Sequence, residues 1–125
     1  MIRVVIADDH PQIRIALRHV LEIESDFEVV GEAHNGMDAV EMVEETNPTI
    51  VVLDCRMPRL NGLDAAREIG RRHPDVATIM LSGEDDPVMA EEAQEAGVTS
   101  FVSKADRPEL LLSTLREVAQ RRRPA

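Results

Sequence analysis

Five short runs of β-branched and apolar residues alternate with five amphipathic helical patterns along this 125-residue chain. The runs occupy residues 2–7, 27–33, 49–53, 76–81 and 99–102. The helical patterns, with apolar residues spaced three or four apart, occupy residues 13–21, 39–43, 63–69, 89–96 and 111–119. Three of the runs are almost continuously apolar, as strands covered on both faces are. The alternation therefore predicts an α/β fold, a doubly wound parallel sheet of five strands with helices on both faces.

Proline and glycine mark the ends of the predicted helices. Asp86 and Pro87 have the form of an N-cap followed by proline at the first helical position, and Pro108 similarly opens the fifth helix. Gly97 follows the fourth helical pattern, where glycine commonly terminates a helix. These signals support the same division into elements.

Composition narrows the class of protein. The length predicts one domain over residues 1–120, with residues 121–125 as a tail or the start of a linker. A net charge of −10 and only two aromatic residues argue against nucleic-acid binding by this domain itself. No apolar run is long enough to span a membrane, and no signal peptide is visible. A single cysteine, Cys55, fits a reducing compartment, so we expect a cytoplasmic protein.

Polar and charged residues follow four of the predicted strands. Asp8 and Asp9 follow the first, Asp54 the third, Ser82 the fourth and Lys104 the fifth. Because parallel strands bring their carboxyl ends to one edge of a sheet, these side chains are expected to share a pocket. Crowded carboxylates suit Mg²⁺, and a lysine and a serine beside the metal can hold an anion. The set predicts phosphoryl transfer, with an aspartate as a possible nucleophile.

Each of these residues also has a simpler interpretation when taken alone. Asp8 and Asp9 could end a strand and cap the helix that begins near Pro11. Cys55 is expected to be a buried apolar residue at a strand end. The four histidines lack metal-ligand spacing, so His10 is expected to be a surface or capping residue like the others. The joint arrangement of the acids, serine and lysine favours a functional site over coincidence.

The chain closely resembles the receiver domain of two-component response regulators over nearly its whole length. Residues 6–10 and 101–105 further resemble the subfamily that carries a C-terminal helix-turn-helix of the LuxR/NarL type. The resemblance implies the flavodoxin-like strand order 2-1-3-4-5. The motifs that carry it are Asp8-Asp9, Leu53-Asp54, Met57-Pro58, Asn61-Gly62, Ser82 and Lys104.

The resemblance also implies a phosphoacceptor and a metal site. Asp54 would receive a phosphoryl group from a phosphohistidine on a sensor histidine kinase. Asp9 and Asp54 would bind Mg²⁺ directly, together with the backbone carbonyl of Arg56. Asp8 would assist through water.

Three further residues receive roles from the resemblance. Lys104 and the Ser82 hydroxyl would contact phosphoryl oxygens. Ser82 and Phe101 resemble paired switch residues, although Phe101 lacks the hydroxyl of the tyrosine common at this position. A switch at Phe101 would therefore act by packing alone.

The resemblance implies an output and leaves two alternatives open. The domain would catalyse its own phosphorylation, form a homodimer on phosphorylation, and reach DNA only through a C-terminal domain absent from this sequence. One alternative is a Mg²⁺-dependent phosphatase with an aspartyl nucleophile, but such enzymes usually have a second acid where this chain has Arg56. The other is a nucleotide- or flavin-binding module, which lacks support because no glycine-rich phosphate-binding motif is present.

Overall fold

The computed structural model describes residues 1–55, 57, 61–83, 87–104 and 107–121. Strands and helices alternate strictly along the chain. In order they are β1 (Ile2–Ala7), α1 (Pro11–Ile23), β2 (Phe27–Ala33), α2 (Gly36–Thr46), β3 (Ile50–Asp54), α3 (Gly62–Arg72), β4 (Ala77–Ser82), α4 (Pro87–Glu95), β5 (Ser100–Ser103) and α5 (Pro108–Arg121). None of the described helices is both long enough and apolar enough to cross a membrane.

The five strands form one parallel sheet in the order β2-β1-β3-β4-β5. This confirms the predicted fold class and strand order. Ala7 of β1 is in register with Leu53 of β3, and Asp54 is in register with Leu81 of β4. The carboxyl ends of β1, β3 and β4 therefore meet at the same edge.

Three strands lie one residue later in the chain than predicted. β3, β4 and β5 end at Asp54, Ser82 and Ser103, whereas the apolar runs predict ends one residue earlier. The parallel ladder continues past the last apolar residue, because the Cys55 amide still donates to the Leu81 carbonyl at 3.2 Å. Asp54 and Ser82 are thus the last residues of their strands, which restricts their backbones.

Two apolar layers sandwich the sheet, because alternate strand residues face opposite sides. On one side, Val5, Val51 and Leu53 pack against α2, α3 and α4. On the other, the alternating residues of the same strands pack against α1 and α5. The second set comprises Val4, Ile6, Ile50 and Val52.

The apolar stripe of α1 is less covered than its sequence pattern suggests. Leu21 is buried, but Ile13, Leu17 and Val20 are only half-buried. They line an open, mainly apolar groove of about 310 Å³ between α1 and α5, whose other wall includes Leu111.

Helix termini follow the predicted signals where the structure describes them. Pro87 and Pro108 are the first residues of α4 and α5, and Gly97 adopts a φ of 87° just beyond α4. The predicted N-cap Asp86 lies outside the described residues, as do residues 122–125 of the predicted tail.

Two asparagines cap α2 and α3. The side chains of Asn35 and Asn61 each accept a hydrogen bond from the third backbone amide of the helix that follows.

Gly62 begins α3 in close contact with the end of β3. A Cβ at this position would lie 2.1 Å from the Asp54 backbone oxygen. Glycine is the one residue type without a Cβ, so it alone avoids this clash. Gly70 lies in the same helix with open space around its Cα. We expect Gly62→Ala to lower the free energy of unfolding by about 3 kcal/mol through overpacking.

Gly70→Ala is the matched control and should raise that free energy by about 0.5–1 kcal/mol through helix propensity. Urea unfolding of the two variants measures both changes. Equal stabilities would contradict the close approach of α3 to Asp54.

Candidate functional site

A tight turn after β1 holds the first two acidic residues. The Asp8 amide donates to the Ala33 carbonyl of β2 at 3.0 Å, which extends the ladder by one residue. The Asp8 side chain, 1% exposed, turns back and accepts from the His10 amide at 2.9 Å. α1 has His10 as its N-cap and no side-chain capping bond. Asp8 thus ends the β1 ladder, as the simpler interpretation has it, but the N-cap position of α1 belongs to His10 and not to Asp8 or Asp9.

An arginine that the sequence did not point to also holds this turn. Arg14, one turn into α1, donates through its guanidinium to the Asp8 carbonyl at 2.7 Å. The same guanidinium lies 3.6 Å from the Glu32 carboxylate on β2. Arg14 thereby ties α1, β2 and the acidic turn together.

Lys104 links the ends of β1 and β3. Its ammonium nitrogen lies 3.2 Å from Asp8 Oδ2 and 3.2 Å from Asp54 Oδ1. The Asp54 side chain is 6% exposed and that of Lys104 is 22% exposed. Burial disfavours the charged ammonium, but the Asp54 and Asp8 carboxylates outweigh it and raise the pKa of Lys104 above its ordinary value. The lysine is therefore a cation at every physiological pH.

Four side chains converge on the sheet edge. Asp8, Asp9, His10 and Asp54 each place one ligand atom so that all four atoms lie within 4.8 Å of one another. The Lys104 ammonium pairs with two of the three carboxylates in this space, so the pocket retains negative charge. Such a pocket attracts a small hard cation.

One buried carboxylate oxygen of this cluster accepts no hydrogen bond from the described residues. Asp9 Oδ1 is shielded from water and accepts no hydrogen bond within the described part of the chain. His10 Nδ1 lies 3.0 Å from it, but the hydrogen bond of that nitrogen runs to Asp8. A buried carboxylate oxygen without a donor suits a metal ligand, so the residues present fit Mg²⁺.

The sequence of most of the chain matches a known protein family. Residues 4–116 match the response regulator receiver domain family. The chain belongs to the response regulator receiver domains. The predicted resemblance is thereby confirmed, and nothing favours the phosphatase alternative.

The receiver is similar to domains of longer regulators. It is 35% identical over 119 residues to the transcriptional regulatory protein DegU of Brevibacillus brevis, covering 95% of this chain and 50% of DegU. It is 36% identical over 118 residues to the response regulator UvrY of Escherichia coli, covering 94% of this chain and 54% of UvrY. The chain thus spans about half the length of these relatives.

A solved structure supports both the fold and the subfamily. A DNA-binding response regulator of the LuxR family from Staphylococcus aureus superposes with a TM-score of 0.90 and 31% identity. The match covers 95% of this chain and 99% of that one. The likeness to LuxR-family regulators expected from residues 6–10 and 101–105 is confirmed.

The receiver places the remaining predicted residues on β4 and β5. Ser82 is buried at the end of β4, and its carbonyl accepts from the Lys104 amide at 2.6 Å. Phe101 of β5 is half-buried, lies in register with Met80, and packs against the apolar layer on the α2–α4 side. Ser82 therefore lies at the sheet edge that carries Asp54, and Phe101 lies two residues before the end of β5. Arg56, predicted to offer its carbonyl to the metal, lies outside the described residues.

His10 is the site residue that sequence reasoning missed. The lack of metal-ligand spacing among the histidines predicts a surface or capping residue, and His10 is indeed the N-cap residue of α1 with a side chain that is 60% exposed, but its ring also faces the carboxylates. Its direct adjacency to Asp8 and Asp9 was the available signal, because a turn at a strand end can bring consecutive side chains to one point.

Proposed function

We propose that Asp54 of this receiver accepts a phosphoryl group from the phosphohistidine of a sensor histidine kinase. The observation that carries the proposal is the position of the Asp54 carboxylate. It is nearly buried, is paired with Lys104 at 3.2 Å, and shares a pocket with Asp8 and Asp9. A nucleophile, a fixed cation and an unsatisfied carboxylate oxygen in one place suit phosphoryl transfer.

Each residue has a distinct part in the proposed reaction. An Asp54 oxygen forms a bond to phosphorus as the bond from phosphorus to the histidine nitrogen breaks, and the released imidazole takes a proton. Lys104 offers its ammonium to the phosphoryl oxygens, and the Ser82 hydroxyl donates to another. Mg²⁺ held by Asp9, Asp54 and the Arg56 carbonyl, with Asp8 assisting through water, would neutralise charge on the phosphoryl group. The domain in this way catalyses its own phosphorylation.

The modified Asp54 would then act as a switch. A charge-assisted bond to Lys104 and a hydroxyl bond to Ser82 favour one arrangement of the β4 and β5 ends. Phe101 lies beside Met80 in the sheet and packs against the apolar layer on the α2–α4 side, so its burial can report that arrangement to α4 and α5. We infer that the phosphorylated domain forms a homodimer.

We infer the output and location of the parent protein from the kind of relative that it resembles. DegU is named as a transcriptional regulatory protein, and the chain spans half of it. We infer that residues 1–120, with Arg121 at the end of α5, act as the receiver of a cytoplasmic transcription regulator, that the residues after Arg121 begin a linker, and that DNA is bound by a separate C-terminal domain.

Labelling with a small acyl phosphate tests the proposal. With Mg²⁺ present, the intact mass of the domain should increase by one phosphoryl group, and chelator should prevent the increase. A domain that instead hydrolyses a generic aryl phosphate with turnover would favour the phosphatase alternative. A domain that shows no labelling with Mg²⁺ and acyl phosphate would contradict the proposal.

Helix α4 is expected to respond most to phosphorylation. Its described buried contacts are small residues, Ala93 with Ala96 just beyond the helix, whereas α5 buries Leu111, Leu115 and Val118. We expect amides of α4 to exchange faster than those of α5, and to change most when a metal-fluoride phosphoryl mimic is added. Light scattering should show self-association at the same time.

Ser82→Ala provides the control for this switch. The variant should still be labelled on Asp54, more slowly, and should show a weaker exchange response in α4. A full response in Ser82→Ala would remove Ser82 from the switch. A mimic-bound domain that stays monomeric with unchanged exchange would contradict the switch itself.

A further inference from the structure

The His10 imidazole is a nitrogen donor within the carboxylate cluster. His10 Nδ1 lies 3.1 Å from Asp8 Oδ1 and 3.0 Å from Asp9 Oδ1. The backbone holds the ring there, because the His10 amide donates to the same Asp8 oxygen at 2.9 Å. The ring therefore faces the cluster although most of its surface is exposed to water.

These separations match those between neighbouring ligands of one metal ion. Ligands at right angles around an octahedral ion with bonds of 2.0–2.1 Å lie about 3.0 Å apart. The nitrogen is at this separation from Asp9 Oδ1, an oxygen of a carboxylate proposed to bind the metal directly. The ligand atoms of Asp9, His10 and Asp54 lie within 4.8 Å of one another, so they need to contract by only about half an ångström to match the roughly 4.2 Å span of opposite ligands.

The described contacts of the His10 ring are with the acidic turn itself: Nδ1 hydrogen-bonds to Asp8 at 3.1 Å and lies 3.0 Å from Asp9. His10 is the N-cap residue of α1, yet its side chain makes no capping bond. The Asp9 oxygen beside it accepts no hydrogen bond within the described residues, so the ring does not serve to satisfy that oxygen. When Nδ1 binds an ion it gives up its hydrogen bond to Asp8, and the neutral ring then carries its proton on Nε2, which lies across the largely exposed ring from this contact.

We propose that His10 is a metal ligand of this site and gives it a preference for Mn²⁺ over Mg²⁺. The inference rests on the proposed metal-dependent function. An imidazole nitrogen suits first-row transition ions, whereas Mg²⁺ prefers oxygen and keeps its waters. A carboxylate-only site offers both ions the same oxygens, so the nitrogen adds a ligand that Mn²⁺ accepts more readily than Mg²⁺ does.

Metal titration of the intact domain tests the assignment. Calorimetry would measure Mn²⁺ and Mg²⁺ dissociation constants for the parent, for His10→Gln and for His34→Gln. His34 is the matched control, because it is also exposed and its Nδ1 lies 3.0 Å from a single carboxylate, Asp38. Pulsed electron paramagnetic resonance of bound Mn²⁺ would detect coupling to a ligand nitrogen, and thermal melts would establish that each variant folds.

His10→Gln should weaken Mn²⁺ binding by about 10-fold or more, change Mg²⁺ binding by less than about 3-fold, and abolish the nitrogen coupling. His34→Gln should leave all three unchanged. Equal losses for both ions, or Mn²⁺ bound to the parent without nitrogen coupling, would overturn the role of His10 while leaving the carboxylate site intact. Failure of the parent to bind either ion would overturn this inference together with the proposed metal-dependent function.

Discussion

Asp54→Asn should abolish phosphoryl labelling of the domain by a small acyl phosphate in the presence of Mg²⁺. An amide oxygen is a poor nucleophile, and asparagine also removes one of the three carboxylates of the cluster. Asp9→Asn should reduce the labelling rate by about 10-fold or more, since it takes one oxygen from the same pocket but spares the acceptor. Intact-mass spectrometry with peptide mapping measures both effects.

Asp75→Asn is the matched control for the acceptor variant. Asp75 is exposed in the turn before β4, away from the sheet edge that carries Asp54. The Asp75→Asn substitution removes the same charge from the chain as Asp54→Asn does, so the labelling of this control variant should equal that of the parent. Residual labelling of Asp54→Asn that maps to another side chain would overturn the assignment of the acceptor.

The fold was predictable because local pattern and global topology agree in this chain. Alternating strand and helix periodicities leave few ways to cover both faces of a sheet, and parallel crossovers are right-handed. The juxtaposition of Asp8, Asp54 and Lys104 followed from the same rule, because all three lie at the carboxyl ends of parallel strands. The structure places the Lys104 nitrogen 3.2 Å from both carboxylates.

Details that depend on turns and long side chains were not predictable. The position at which each strand ends is set by hydrogen bonds of the parallel ladder, and an apolar run does not reveal these bonds. Asp54 and Ser82 are therefore the last residues of β3 and β4, although the apolar runs end one residue earlier. The Asx-type turn that brings His10 to Asp8 and Asp9 leaves no periodic signal. Arg14 reaches the Asp8 carbonyl across a helix turn, and an arginine on a helix surface has many possible partners.

Lys104→Met should destabilise the metal-free domain by about 2–3 kcal/mol. Lys104 is the single lysine of the chain, and its ammonium balances Asp8 and Asp54, whose side chains are almost fully buried. Removing one partner of a buried ion pair leaves an uncompensated charge, at a typical cost of about 3–5 kcal/mol, which the partial exposure of Lys104 reduces. Urea unfolding in chelator measures the change.

The pKa of Lys104 predicts how this effect varies with pH. Because Asp54 and Asp8 raise the pKa against the opposing effect of burial, the ammonium contributes fully below its ordinary value of 10.5 and loses that contribution as the pH rises through the raised value. The difference between parent and Lys104→Met should therefore be constant from about pH 6 to about pH 9.

Arg107→Met is the matched control, because Arg107 is exposed and lines the same groove as Lys104. It should change the free energy of unfolding by no more than about 0.5 kcal/mol. An equal loss in Lys104→Met and Arg107→Met would mean that Lys104 does not balance the cluster.

The carboxylates themselves provide the second test of the charge balance. In chelator, Asp54→Asn should melt above the parent, because the pocket holds three carboxylates and one ammonium and the change leaves Lys104 paired with Asp8. In the Lys104→Met background, the same substitution should recover most of the lost stability, since it removes a charge that no longer has a partner.

Saturating Mg²⁺, at about 100 times its dissociation constant, should stabilise the parent by about 2.7 kcal/mol and Asp54→Asn by less. A double variant no more stable than Lys104→Met, with no Mg²⁺ effect on the parent, would show that these side chains do not share one electrostatic site.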